Sequence, residues 1–267
     1  MKEPTENIVE YQFLRPQAMV ERRNAMPVAY MGLGVFEWHG LHNPLGLDGI
    51  KANGVACYIA RRLGGVVMPP QFYGDHRGEY AELQFTESFY LDFAEPENRL
   101  DHTIPISEHY GIAKEALEKD AARSIEYGGW EPWEKLMVRT LFQIETMGFE
   151  AIVLIPGHFP LIEPTHRAIQ RYSDEGGKCK MLALYEFGPV FAEDNLTGDH
   201  AASYETSLMF ALCPELVDIN ALDADLSKPN IGVIGKDPRL HASKEFGERI
   251  LEKFLSVAEG FINSTDL

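Results

Sequence analysis

At 267 residues, 45% of them hydrophobic, the chain can fill one large core or two small ones. Its formal charge of −17, from 41 acidic against 24 basic residues, argues against nucleic acid and anionic lipid as partners. No apolar run reaches the ~20 residues that a membrane helix needs, and "MKEPTENIVEYQF" lacks the apolar core of a signal peptide, so the expected compartment is the cytoplasm. Cys57, Cys179 and Cys213 form no CxxC pair, which excludes a disulfide framework and a thiolate zinc site.

In chain order, "PVAYMGLGVF" (27–36) suits a buried strand, and "DGIKANGVACYIARRLGG" (48–65) a helix stopped by Gly64 and Gly65. A strand is expected at 65–74, a helix at 131–148, an apolar strand at 149–157, a helix at 163–177 and a strand at 180–187. The C-terminal segment 243–262 has helical periodicity. Strands alternating with helices of this length predict an α/β fold, a mostly parallel central sheet in a three-layer αβα sandwich. Ligands of such sheets gather at the carboxyl ends of the strands. No repeat or Gly/Ser linker interrupts the chain, so residues 1–267 are read as a single domain. An aromatic and acidic stretch at about 75–130, ending in the helix-like "IAKEALEKDAARSIEYGG", breaks the alternation and reads as an insertion over a site or a subunit contact.

The chemistry concentrates in "GLGVFEWHGLHNPLGLDG" (32–49). Glu37 and His39 stand two apart on a chain leaving a strand, so an extended backbone points both the same way. Asp48 lies across a short loop and can offer one oxygen to each of two ions. Oxygen and nitrogen donors without thiolate suit Zn, Mn, Fe, Ni or Co. The stretch can equally be a polar loop closing a strand, with Asp48 as a helix N-cap. Two later segments bear on that choice. "IVLIPGHFP" places His158 just past an apolar strand, and "GDHAASYETSLMFALCPELVD" places His200 and Glu205 at the opening of a helix.

At these residues the sequence resembles the creatininase (creatinine amidohydrolase) family. "EWHGLHNPLGLD" matches its Glu-x-His-Gly-x-His motif at Glu37, His39, Gly40 and His42, followed by Pro44 and Asp48. "DHAASYETSLMFALCPELVD" is similar to a later motif, and "GVIGKDPRLHASKEFGERIL" (232–251) to a closing one. The resemblance implies a creatininase-like fold and one or two divalent ions, Zn foremost. It assigns Glu37, Asp48 and His158 to one ion, and His39, Asp48 and Glu205 to the other. It further implies that a metal-activated water cleaves the C–N bond of a small cyclic amide or formamide, with His200 carrying the proton and His42 orienting a ligand. Closed homo-oligomers, often hexamers, are implied as well.

Two departures stand out. The family's Asn-Gly-His-Gly-Gly-Asn is here "PGHFPL", with Pro160 where creatininase supplies a glutamate ligand, so Glu205 is the expected replacement and belongs to the catalytic set with His200. The segment that commonly follows the second strand is replaced by the 75–130 stretch, which leaves creatinine itself unsupported. Alternatives are a peptidase-like member that trims a modified peptide, and a non-catalytic metal-binding scaffold. His76 reads as a surface residue or one at the pocket mouth; His102, His109, His166 and His241 receive no role.

Overall fold

The computed structural model describes residues 8–35, 37–74, 109–186, 190, 199–228 and 230–265. Four parallel strands form one sheet in the order β2-β1-β3-β4: β1 is Val28–Leu33, β2 Val66–Val67, β3 Ala151–Pro156 and β4 Lys180–Ala183. All six residues of β1 and of β3 are buried, as the continuous apolar runs require of strands covered on both faces. Register is continuous from Val28 opposite Ala151 to Leu33 opposite Pro156.

Alternation along the strands sorts two cores. Tyr30, Val153 and Ile155 face α2 (Leu47–Leu63) and the helices Ser203–Leu212 and Lys244–Ser264. Ala29, Ile152 and Leu154 face Glu131–Thr146 and Ile162–Asp174 on the other side. The three layers expected from the sequence are thus present. Glu131–Thr146 buries Trp133, Met137, Leu141 and Ile144, a stripe at helical spacing. Lys244–Ser264 starts where Ser243 Oγ accepts the Phe246 N–H at 3.1 Å.

Two expected strands are shorter than read. The 65–74 strand reduces to Val66–Val67, because Pro69 and Pro70 have no N–H for a ladder; Gln71 rejoins β1 only through a bridge to Leu33. The 180–187 strand ends at Ala183, which frees Glu186 to turn toward the interior. Within the 75–130 stretch, 75–108 lies outside the described residues, while its helix-like end forms a helix at Lys114–Glu126.

The strand order reverses direction at β1, since the chain moves to β2 on one side and to β3 on the other. The crevice beyond β1 and β3 is therefore the topological switch point, where open α/β sheets bind ligands. The first turn of α2 rests directly on it. A Cβ at Gly34 would stand 2.2 Å from the Gly49 nitrogen, and one at Gly157 2.3 Å from the Asp48 carbonyl oxygen. Only glycine permits that approach.

Candidate metal centre

Four chain segments reach the switch point, the fourth being the Ser203–Leu212 helix that carries Glu205. Glu37 and His39 follow β1, His158 follows β3, and Asp48 enters on the first turn of α2. The N-cap of α2 is Gly46, so Asp48 is not that cap, and its carboxylate faces two imidazoles instead. Asp48 Oδ1 is 3.1 Å from His39 Nε2, while Oδ2 is 3.3 Å from His158 Nδ1. Glu37 Oε2 lies 3.1 Å from His158 Nδ1, and Glu205 Oε2 lies 3.7 Å from His39 Nε2. Glu37, Asp48 and His158 form one group with donor atoms within 4.8 Å of one another; His39, Asp48 and Glu205 form a second, and Glu37, His39 and His200 a third. The residues singled out in the sequence are all brought together here.

The protonation geometry tests whether a cation suits this place. His39 Nδ1 is 3.2 Å from the Glu37 carbonyl oxygen, and its Nε2 faces carboxylates. Both ring nitrogens thus point at acceptors. The ring must either carry a second proton or share its Nε2 lone pair with a cation. Without an ion, burial opposes protonation, but Asp48 and Glu205 outweigh it and raise His39 to about 9. Burial likewise opposes ionisation of Asp48, yet His39 and His158 hold it well below the usual carboxylate range. His39 Nε2 and Asp48 Oδ2 are buried without a hydrogen bond of good geometry. Among the described residues, Glu37, Asp48, Glu186 and Glu205 are buried carboxylates of this region, and the buried ammonium of Lys51 pairs with only Glu186 and Glu205. Such an excess of buried negative charge is costly unless cations join it. The donor set fits divalent ions that accept mixed nitrogen and oxygen ligands.

Around the cluster, His200 stacks on His39 with ring centroids 4.4 Å apart, and its Nε2 is 3.1 Å from the Trp38 carbonyl oxygen. His42 Nε2 pairs with Thr206 Oγ1 at 3.0 Å, next to Glu205 on the Ser203–Leu212 helix; burial and the His39 charge lower it to about 4, so it is neutral. Asp199 accepts the Tyr204 and Glu205 N–H groups at 2.7 and 3.1 Å, which seats that helix. Burial and the Glu205 charge push Asp199 up to about 8.

Sequence reasoning missed Lys51, Glu186 and Asp199. A lysine three residues after Asp48 shares its face of the helix, and that spacing was the available signal for Lys51. Glu186 leaves the carboxyl end of a strand, and Asp199 directly precedes His200. Pro160 lies in a short 3-10 turn, Phe159–Leu161, which brings no carboxylate to His158. His166 pairs with Tyr185 on the exterior, and His76 and His102 lie outside the described residues.

Fold and cluster together define an α/β protein with a carboxylate and histidine centre at the sheet's switch point. Residues 129–259 match the creatininase family model, described as creatinine amidohydrolase. Over that segment, just under half of the chain, the sequence is similar to the creatininase family. Among solved structures, it is similar to creatinine amidohydrolase (creatininase), with 19% identity, TM-score 0.63, and 96% of this chain and 97% of that one covered. A manganese form, "Creatininase Mn", matches with 19% identity, TM-score 0.62 and coverage of 96% and 98%. A Glu→Gln mutant creatininase of "Zn-Zn type" matches with 20% identity, TM-score 0.59 and coverage of 96% and 97%. No curated protein matches the sequence. Among the described residues, no helix is long and apolar enough to cross a membrane.

Proposed function

We propose that this chain is a metal-dependent amidohydrolase that cleaves the C–N bond of a small cyclic amide or formamide. The observation that carries the reading is Asp48, whose two oxygens are divided between His39 and His158 so that two donor groups share one carboxylate. In this reading Glu37, Asp48 and His158 hold one divalent ion, and His39, Asp48 and Glu205 the other. Zn or Mn is favoured because solved relatives are described with those metals. A bound ion supplies Lewis acidity, lowering the pKa of a water to ~7 and polarising a carbonyl.

The chain's own residues do the rest. Glu205 fixes the entry of its helix toward the site by accepting the Ala201 N–H at 2.7 Å. The His200 ring is oriented by its stack on His39 and by the Trp38 carbonyl, and it passes the proton to the leaving nitrogen, a role suited to an imidazole. His42 and Thr206 brace the helix that carries Glu205. We extend the reading to one domain, a cytoplasmic location and a closed homo-oligomer, for which sedimentation is the check.

Elemental analysis of the purified protein, followed by assay of wild type and Glu37→Gln on a panel of cyclic amides and formamides, tests the proposal. We expect stoichiometric metal and amide hydrolysis in wild type, both reduced in the variant. Wild type without stoichiometric metal overturns it, and metal without hydrolysis on the whole panel favours a scaffold instead.

A further inference from the structure

Lys51 is 1% exposed, among the largest fully buried side chains of the molecule. Its ammonium lies 2.6 Å from Glu205 Oε1 and 2.8 Å from Glu186 Oε1. A lysine gives up its hydration at this depth only for paired carboxylates, and here one of the pair is also a donor of the His39, Asp48 and Glu205 group. Glu205 is therefore divided: Oε1 belongs to Lys51, and Oε2 takes the Ala201 N–H and turns toward His39. Both of these Lys51 contacts fall outside the Glu37, Asp48 and His158 group. The two groups share Asp48 but differ in their electrostatic surroundings.

We propose that Lys51 is a resident cation that makes the centre asymmetric, so that the His39, Asp48 and Glu205 group takes a divalent ion more weakly than the Glu37, Asp48 and His158 group. A fixed positive charge hydrogen-bonded to a ligand carboxylate withdraws its electron density and repels an incoming ion across a few ångströms of low-dielectric interior. The same charge lets the metal-free chain bury Glu186 and Glu205 side by side, which ties the asymmetry to folding. The inference rests on the metal reading above and concerns how the two groups differ.

Titrating chelator-stripped protein with Co2+, followed by visible absorption and by elemental analysis after equilibrium dialysis, tests it. Wild type is expected to bind in two unequal steps, or in one step with the second beyond reach. Lys51→Met, of similar length and uncharged, is expected to tighten the second step by at least about tenfold, as removal of a nearby unit charge predicts even at an effective dielectric of ~20. The first step is expected to tighten by a smaller factor, because Lys51 contacts none of its donors and acts on them through space, by way of the shared Asp48. A purely structural lysine would weaken both steps together when removed. Two equal steps in wild type, or a second step unchanged or weakened in the variant, overturn the proposal. No Co2+ binding in wild type sinks the metal reading itself, a distinguishable result. If Lys51→Met does not fold, the double variant Lys51→Met with Glu186→Gln removes one carboxylate with the cation and is expected to tighten the second step by a smaller factor; if neither folds, two equal steps in wild type still overturn the proposal.

Discussion

The two ends of the sheet use similar residues to different effect. At the amino end, Glu145, Glu150, Lys178 and Lys180 line an open cavity of ≈ 520 Å³, and three of them are exposed. At the carboxyl end, Glu37, Asp48, Glu186, Glu205 and Lys51 are all buried and converge from separate segments. Charge at the first end is screened by water and replaceable. At the second it is held in a poorly polarisable interior, where every group fixes the protonation and position of the next. Chemistry follows burial and convergence rather than charge content.

Four experiments break or sharpen that contrast. Asp48→Asn removes the carboxylate charge that both donor groups share; we expect loss of bound metal and a fall in amide hydrolysis of at least about a thousandfold. Retention of full metal content would break the bridging assignment. His200→Asn should lower the rate by about 10²–10⁴-fold while leaving metal content unchanged, as removal of a proton carrier predicts; a parallel loss of metal would make His200 a ligand.

The third experiment is thermal denaturation of metal-free protein across pH 7 to 9. Asp48 and Glu205 raise His39 from 6.5 to about 9 against its burial, and burial with Glu205 raises Asp199 from 3.8 to about 8. The folded chain thus holds protons that the unfolded chain has released. Stability is expected to fall as pH rises through this window. A saturating divalent ion displaces the His39 proton and should flatten the slope. A melting temperature that rises from pH 7 to 9 in chelator contradicts the buried-proton account. The smallest effect is expected at the other end of the sheet, where Lys180→Ser should change stability by no more than about 0.5 kcal/mol and leave hydrolysis untouched.

The layers of the fold were legible because β1, β3 and their flanking helices carry long periodic or continuous apolar signals. Strand lengths were less so: β2 is cut short by two prolines whose effect depends on which neighbour would have accepted a ladder bond. In the centre, Glu37, His39 and Asp48 were legible as a spacing, and His158, His200 and Glu205 as positions at element boundaries. Lys51 was not. Its buried ammonium exists only because Glu186 and Glu205, 135 and 154 residues later in the chain, fold against α2. A lysine on a helix otherwise reads as solvated surface.

The glycines beneath α2 carry a practical consequence. Gly34 and Gly157 have no side chain to ligate a metal or carry a proton, yet any side chain there would lift Asp48 off the strand ends. In a saturation mutagenesis screen they should be as intolerant as the ligands themselves. The map of dead positions would be wider than the map of chemistry, and metal retention, rather than lost turnover alone, would be needed to tell a reacting group from the floor it stands on.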